Sequence, residues 1–206
     1  MKQPNYIALE GLEGAGKTTA LKTITEFLNQ KGFQSQNVRE PGGTPMAEAL
    51  RNLFKHGDFG NENVDVRTEA LIMYASRCQL ISNVVTPLLN DGKVVLTDRS
   101  HWTTKAYQGE NKKVMELIAD LDKHICDAMP NLVIFMDVDP EVGLERARGR
   151  DALDRIEQRD IQFFINARKR FLQFAKENND MFIVIDANQD IDKVQKEIID
   201  KLNNIF

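Results

Sequence analysis

The fold is decided by one short stretch, which reads Gly11-Leu12-Glu13-Gly14-Ala15-Gly16-Lys17-Thr18. It fits the pattern G-x-x-x-x-G-K-[ST], in which glycines let backbone N–H groups surround a phosphate. An apolar segment typical of a buried strand precedes it, and a predicted helix over residues 17–31 follows. Because a strand, a glycine loop and a helix N-terminus form an anion site, the stretch predicts nucleoside triphosphate binding. Lys17 would then reach the β- and γ-phosphates, and the Thr18 hydroxyl would ligate Mg²⁺. The alternative is a glycine-rich turn with an unrelated lysine, which the flanking segments disfavour.

Composition and charge set limits on the class of protein. The 206 residues are 42% hydrophobic, which suits one large domain over residues 1–206 with a sizeable core. The net charge of −4 does not favour a nucleic-acid or membrane-surface partner. No apolar run approaches the roughly 20 residues of a membrane span, and the polar residues 1–5 are untypical of a signal peptide. Cys78 and Cys126 lack a metal-binding spacing and are interpreted as buried thiols of a reduced, cytoplasmic protein.

Five predicted strands alternate with helical patterns along the chain. The strands are expected at residues 6–10, 35–39, 93–99, 132–138 and 181–185. The helices are expected at residues 17–31, 45–56, 64–89, 111–129, 140–148, 156–178 and 190–205. This alternation predicts an α/β fold, a five-stranded parallel sheet with helices on both faces. Ligands bind such sheets at the carboxyl ends of the strands, so residues just after each strand are the candidates for a site.

Polar side chains follow the second and third predicted strands. Glu40 lies in a turn forced by a proline and two glycines, and it either touches a ligand or is a solvated turn carboxylate. Asp98 stands where a P-loop enzyme has its Mg²⁺ carboxylate, and the alternative is a buried ion pair with Arg99. The segment that follows carries hydroxyl and amide groups suited to a neutral polar ligand. These are Thr103, Thr104, Tyr107 and Gln108.

Two further patterns have a functional and a structural interpretation. Met73 and Arg77 are four residues apart on a predicted helix, so one could cover a flat ring while the other binds its edge. A methionine on a helix is also common in cores. Residues 146–159 hold a dense cluster of arginines, which forms either a solvated helical face or a mobile lid that closes on phosphates. These arginines are Arg146, Arg148, Arg150, Arg155 and Arg159.

Taken together, the motifs of this chain resemble those of bacterial thymidylate kinases. They occur in the family's order and spacing over nearly the whole chain. The segments concerned are Glu10-Gly-Leu-Glu-Gly-Ala-Gly-Lys-Thr-Thr19, Arg39-Glu-Pro-Gly-Gly-Thr44, Asp98-Arg99, Ala106-Tyr-Gln-Gly109 and Leu153-Asp-Arg-Ile-Glu157. The resemblance implies a P-loop NTPase-type fold with an arginine-rich lid. It also implies a Mg²⁺-dependent, cytoplasmic homodimer that transfers the γ-phosphoryl of ATP to dTMP, giving dTDP.

The resemblance also assigns roles to individual residues. It implies that ATP is held by Gly11, Leu12, Glu13, Gly14, Ala15, Gly16, Lys17, Thr18 and Arg146. It implies that dTMP is held by Glu13, Glu40, Arg51, Met73, Arg77, Arg99, Thr104, Tyr107 and Gln108. Within that set, Arg99 and Arg51 hold the phosphate, Arg77 binds the thymine edge with Thr104 and Gln108, and Tyr107 lies beneath the sugar. Thr18 and Asp98 are the implied metal ligands, and Lys17, Arg99 and Arg150 are the implied catalytic residues.

One position of this chain departs from the pattern of the family it resembles, and one feature of its phosphate loop matches the bacterial type. Met73 stands where the family usually has a phenylalanine that stacks on thymine. The phosphate loop carries Glu13 and no arginine, so the lid would supply the cation for phosphoryl transfer, and Arg150 matches that position best.

Three other functions remain as alternatives. A small P-loop kinase could act on another nucleotide or on a deoxynucleoside, although Arg51 and Arg99 favour a monophosphate acceptor. A GTPase switch is disfavoured because residues 111–114 depart from Asn-Lys-x-Asp at the last position. A non-catalytic nucleotide binder is disfavoured by the intact Lys17, Thr18 and Asp98.

Overall fold

The chain is described by a computed structural model that covers residues 3–60, 62–148 and 154–206. The strands are β1 (Tyr6–Gly11), β2 (Ser35–Arg39), β3 (Val94–Asp98), β4 (Leu132–Asp137) and β5 (Phe182–Asp186). The helices are α1 (Lys17–Gln30), α2 (Pro45–His56), α3 (Val66–Leu80), α4 (Thr86–Asn90), α5 (His101–Gln108), α6 (Lys112–Ile125), α7 (Pro140–Arg148), α8 (Ile161–Glu177) and α9 (Ile191–Asn203). One π-helical turn, Ile81–Val85, joins α3 to α4.

The five strands form a single sheet in the order β2-β3-β1-β4-β5, and all four strand pairs are parallel. β1 occupies the centre, and each of its six residues is buried. Such complete burial requires cover on both faces of the sheet. The predicted α/β fold with a five-stranded parallel sheet is therefore confirmed.

The strand register places the predicted motifs side by side. Leu9 of β1 pairs with Asp98 of β3, and Gly11 pairs with Met136 of β4. The phosphate loop after β1 therefore begins next to the carboxyl end of β3. This is the edge at which ligands bind in open α/β sheets.

Some local expectations were wrong. The helix expected at residues 156–178 begins later, because α8 starts at Ile161. Residues before it form a turn because the Asp154 side chain accepts from the backbone N–H groups of Ile156 and Glu157. Cys78 was expected to be buried, but it is exposed, since it falls on the solvent side of α3. In the part of the chain that is described, no helix is both long and apolar enough to cross a membrane.

Candidate active site

The phosphate loop takes a backbone conformation that its glycines allow. Gly14 and Gly16 have φ of 71° and 82°, a region that other residues rarely adopt, and Gly16 is the N-cap of α1. Lys17 donates from Nζ to the carbonyl oxygens of Gly11 and Leu12, over 3.0 and 2.9 Å. Burial, helped by the charge of Arg99, lowers the pKa of Lys17 to about 8, although nearby carboxylates oppose this. An anion bound in the loop would favour the charged ammonium again.

Helix α7 packs directly on the phosphate loop. A Cβ atom added to Gly14 would collide with the carbonyl oxygen of Gly143, and one added to Gly143 would lie 2.5 Å from the carbonyl oxygen of Glu13. Glycine at both positions is what permits this close backbone approach.

Three cavities surround the loop. The outer cavity, about 570 Å³, lies between Gly14–Gly16, Arg146 and the turn after β5 that contains Ala187 and Asn188. The central cavity, about 430 Å³, is lined by Lys17, Thr18, Arg51, Asp98 and Arg99, among others. The inner cavity, about 150 Å³, is lined by Glu40, Met73, Tyr107 and Gln108, among others. The central and inner cavities share Glu13, Arg51, Lys55, Asp98, Arg99 and Asp154.

Glu13 connects the loop to two other residues that line the inner cavity. Its Oε1 accepts from Arg99 Nη2 at 2.6 Å, and its Oε2 accepts from the Tyr107 hydroxyl at 2.5 Å. Burial opposes ionisation of this carboxyl, but Arg99, Lys17 and the Tyr107 hydrogen bond prevail and lower its pKa. Glu13 is therefore an anion near neutral pH, held between a cation and a phenol.

Arg77 is fixed by a buried hydrogen-bond network beside the inner cavity. Its Nε donates to Glu40 Oε2 at 2.5 Å, and its Nη2 donates to Thr104 Oγ1 at 3.0 Å. Its guanidinium lies over the ring of Tyr74, 4.4 Å from the centroid. Its Nη1 is buried and has no hydrogen-bond partner among the described residues. A buried donor without a partner is costly, and a ligand could satisfy it.

The alternative interpretations of two carboxylates were wrong. Glu40 is 3% exposed and pairs with Arg77, so it is not a solvated turn residue. Burial raises its pKa although Arg77 opposes this. Asp98 was considered as an ion-pair partner of Arg99, but Arg99 instead binds Glu13.

The residues present fit a magnesium ion. Asp98 Oδ1 is buried and has no hydrogen-bond partner within the described ranges. Asp98 lines the central cavity together with the exposed Thr18. The described residues contain no group of three or more His, Cys, Asp or Glu that could hold a metal. One carboxylate and one hydroxyl suit Mg²⁺, which keeps waters and takes further oxygens from phosphates.

Arg51 and Lys55 of α2 add positive charge to the central cavity. Arg51 Nη1 donates to the carbonyl oxygen of Pro41 at 2.9 Å, which aligns its guanidinium between the central and inner cavities. Burial and the nearby Arg39 lower the pKa of Arg51. Lys55 forms an ion pair with Asp154, which attaches residue 154 to α2.

The arginine cluster divides into two parts. Arg146 of α7 donates to the carbonyl oxygen of Ala187 at 2.9 Å, beside the outer cavity. Arg155 and Arg159 bind the buried carboxylate of Glu69, at 2.6 and 2.7 Å, so they do not form a fully solvated face. Arg150 lies outside the described residues.

Sequence reasoning missed Glu69 and Glu10. Glu69 is four residues before Met73 and eight before Arg77, so all three share a helix face. This spacing could have indicated that the Glu69 side chain lies on the same side of the helix as the two predicted site residues. Glu10 is fully buried and accepts from the Ser100 and Thr103 hydroxyls. Glu10 begins the segment of residues 10–19 that resembles the family, but nothing in its spacing indicates that Ser100 and Thr103 are its partners.

A phosphate loop after the central strand, with cations gathered in the adjoining cavity, is the arrangement of a P-loop kinase, and the chain is an enzyme of this class. The sequence profile of the thymidylate kinase family matches residues 9–198. A thymidylate kinase of Pseudoalteromonas translucida is 46% identical over 99% of this chain and 98% of its own length. One from Vibrio parahaemolyticus is 46% identical over 98% of this chain and 97% of its own length.

A solved structure extends this likeness to three dimensions. The crystal structure of thymidylate kinase from Ehrlichia chaffeensis superposes with a TM-score of 0.75 at 29% identity, covering 96% of this chain and 97% of that one. The chain belongs to the thymidylate kinase family.

Proposed function

We propose that this chain transfers the γ-phosphoryl group of ATP to dTMP, giving ADP and dTDP, in the cytoplasm. The observation that carries the proposal is that the central and inner cavities adjoin, since both are lined by Glu13 and Arg99. One contains the phosphate loop, and the other contains apolar, hydroxyl and amide side chains suited to a pyrimidine nucleotide. The donor and the acceptor thus meet at Arg99.

ATP occupies the phosphate loop. The residues that hold it are Gly11, Leu12, Glu13, Gly14, Ala15, Gly16, Lys17, Thr18 and Arg146. Its adenine and ribose lie in the outer cavity, between α7 and the turn at Ala187. Thr18 and Asp98 hold Mg²⁺, which supplies positive charge to the phosphate oxygens when bound.

dTMP occupies the inner cavity with its phosphate toward the central one. Arg99 and Arg51 hold that phosphate, because both guanidiniums line the two shared cavities. Arg77, Thr104 and Gln108 bind the base, with Met73 covering one face of the ring. Tyr107 lies beneath the sugar, and Glu13 approaches its hydroxyl. Glu40 acts on the substrate through Arg77, which it holds.

The chemistry needs little acid–base assistance. The acceptor oxygen belongs to a phosphate monoester, which is largely dianionic near neutral pH because its second pKa is about 6. It attacks the γ-phosphorus while the bond to the bridging oxygen of ADP breaks. The task is to neutralise two polyanions and align them, which Lys17, Arg99 and Arg150 perform. The lid, residues 146–159, excludes water when it closes.

The chain acts as one kinase domain over residues 1–206 and assembles as a homodimer. Large apolar side chains remain exposed on the packed helices α2 and α3: Met46 at 59%, Leu53 at 45% and Leu71 at 49%. Such exposure on neighbouring helices supports an interface between copies. Light scattering at the monomer mass would contradict the dimer.

An acceptor panel tests the function. ADP release is measured with dTMP, dUMP, dCMP, AMP, GMP and thymidine, each with ATP and Mg²⁺. We expect dTMP to give the highest kcat/KM, and thymidine to give none because it lacks the phosphate that Arg51 and Arg99 bind. A preference for another monophosphate, or ATP hydrolysis that no acceptor in the panel accelerates, would overturn the proposal.

A further inference from the structure

Glu69 is a buried carboxylate that contacts two different parts of the site. It lies in the first turn of α3 and is 0% exposed. Its Oε1 accepts from Arg155 Nη1 at 2.6 Å and from Arg159 Nη2 at 2.7 Å. Its Oε2 accepts from Gln108 Nε2 at 3.0 Å. One side chain therefore joins residues 155–159 to the end of α5.

The contact with Glu69 fixes which way the Gln108 amide points. An ionised carboxylate only accepts hydrogen bonds, so the NH₂ group of Gln108 must face it. The reverse orientation would place the amide oxygen against the carboxylate oxygen. Gln108 Oε1 is thereby directed away from Glu69, and it is buried without a hydrogen-bond partner among the described residues. A buried, unpartnered acceptor that belongs to a cavity-lining residue is available to a donor on a ligand.

The segment that Glu69 holds closes the same cavity. Asp154 and Ile156 both line the inner cavity, and Arg155 lies over the ring of Phe54, another lining residue. If Arg155 and Arg159 moved away, Glu69 would lose both of its cationic partners and, among the described residues, keep only the side-chain hydrogen bond from the Gln108 amide. Leaving a buried carboxylate without its cations is strongly unfavourable, so the charge of Glu69 favours the closed segment.

We propose that Glu69 is a positioning residue that couples closure of residues 154–160 to recognition of the acceptor base. It holds Gln108 so that Oε1 accepts from the ring N–H of thymine or uracil. Cytosine presents a lone pair at that ring nitrogen and would leave Oε1 unsatisfied. Glu69 thus favours pyrimidine monophosphates whose neutral base carries an N–H at that ring position. This inference rests on the proposed function.

The first test compares dTMP with dCMP. The ratio of their kcat/KM values is measured for the wild type and for Glu69→Gln, which keeps the shape and removes the charge. We expect the ratio to fall on the order of tenfold or more, because the amide of Gln108 can now rotate and the lost discrimination is that of one buried hydrogen bond. The matched control is Arg168→Gln.

Arg168 is a suitable control because its side chain is about as exposed as those of Arg155 and Arg159 and forms an ion pair elsewhere, with the 16% exposed Asp137. Its side chain is 28% exposed, compared with 26% for Arg155 and 30% for Arg159, and it binds Asp137. It lines none of the three cavities around the loop. We expect this variant to keep the wild-type ratio even if it melts at a lower temperature.

A double-mutant cycle then asks whether Glu69 acts through Gln108. In a Gln108→Leu background, we expect Glu69→Gln to change the dTMP to dCMP ratio no further, since the group it positions is gone. Additive effects on the ratio, or an unchanged ratio in Glu69→Gln alone, would overturn the proposal. A wild type that does not phosphorylate dTMP would overturn the proposed function as well, whereas normal dTMP turnover with an unaffected ratio would remove only the role of Glu69.

Arg159→Gln keeps the test decisive if Glu69→Gln does not fold. This variant retains the Glu69 carboxylate and its contact with Gln108, but removes one of the two ion pairs that attach residues 154–160 to Glu69. We expect calorimetry to give a several-fold weaker Kd for dTMP, with the selectivity over dCMP kept within about threefold. An unchanged Kd, or a lost selectivity, would contradict the coupling.

Discussion

Arg99 donates from Nη2 to Glu13 Oε1 over 2.6 Å, and so connects the carboxyl end of β3 to the phosphate loop. The backbone of Arg99 has φ of 71°, a left-handed conformation that costs a non-glycine residue about 1–3 kcal/mol. Its carbonyl oxygen accepts from the Thr97 hydroxyl at 2.7 Å, and its Nη1 donates to the Gly11 carbonyl oxygen at 3.2 Å. The surrounding hydrogen bonds thus hold this arginine where the central and inner cavities meet.

Glu13→Gln should weaken dTMP turnover without unfolding the enzyme. The substitution removes one charged acceptor of both Arg99 and Tyr107, and hydrogen bonds to charged groups contribute about 1.5–3 kcal/mol. We expect kcat/KM for dTMP to fall by roughly 10- to 100-fold in steady-state assays. Glu141→Gln, an exposed acid on α7, is the control and should keep the wild-type value. If both variants behave alike, Glu13 has no role in positioning the acceptor.

Met73→Phe should tighten the binding of dTMP. Met73 is 4% exposed and lines the inner cavity, where an aromatic ring would stack on thymine more directionally than a thioether. Aromatic pairs are worth about 0.5–1.5 kcal/mol beyond area burial, so we expect a 2- to 10-fold lower Kd by calorimetry. A weaker Kd would mean that the larger ring overpacks this cavity.

Arg150→Ala should reduce the chemical step more than substrate binding. By analogy with arginines supplied to phosphoryl transfer in other enzymes, we expect kcat to fall on the order of 10³ with little change in the KM for dTMP. Arg148→Ala is the matched control, since Arg148 ends α7 and is exposed. Near-wild-type turnover by Arg150→Ala would remove this arginine from the transfer step.

Glu10→Gln should flatten the pH dependence of stability. Burial raises the pKa of Glu10 from 4.5 to about 7, although the hydroxyls of Ser100 and Thr103 and the charge of Arg99 oppose this. The folded chain therefore keeps a proton that the unfolded chain releases, so this contribution is fully present below about pH 4.5 and is lost as the pH rises through about 7. The loss is on the order of 3 kcal/mol.

Urea unfolding at pH 5 and pH 8 measures this effect. The wild type should lose more free energy of unfolding between the two pH values than Glu10→Gln does, since glutamine carries no titrating proton. Glu26→Gln, at an exposed position on α1, should follow the wild type. Parallel curves for the wild type and Glu10→Gln would show that Glu10 is ionised in the folded chain at both pH values.

The architecture and the family could be predicted because their signals are local. The glycine loop, the apolar strands and the order of the motifs all lie in short stretches, and the structure and the relatives confirm them. The roles assigned to individual site residues stay predictions. The network around Glu69 could not be predicted, because its two arginines lie 86 and 90 residues further along the chain. Only the folded sheet brings them together.

The start of α8 illustrates a smaller error of the same kind. Helical periodicity alone predicts that this helix begins at residue 156, but side-chain hydrogen bonds set its actual start. Asp154 accepts from the backbone N–H groups of Ile156 and Glu157, in the turn that precedes α8. Asp160 then caps α8 by accepting from Phe163 N at 2.8 Å. Local capping of this type competes with helix formation in ways that apolar spacing does not record.

The backbone contact between Gly14 and Gly143 leaves no clearance between the phosphate loop and α7. The first turn of α7 therefore lies in direct backbone contact with the loop, with no room for even a methyl group between them. Arg146, on the same helix, lines the outer cavity together with the loop residues 14–16. Alanine at either glycine would force the two elements apart, since the added Cβ would collide with a backbone carbonyl oxygen of the other element. A single methyl group would therefore change the shape of the outer cavity without altering any of its charged side chains.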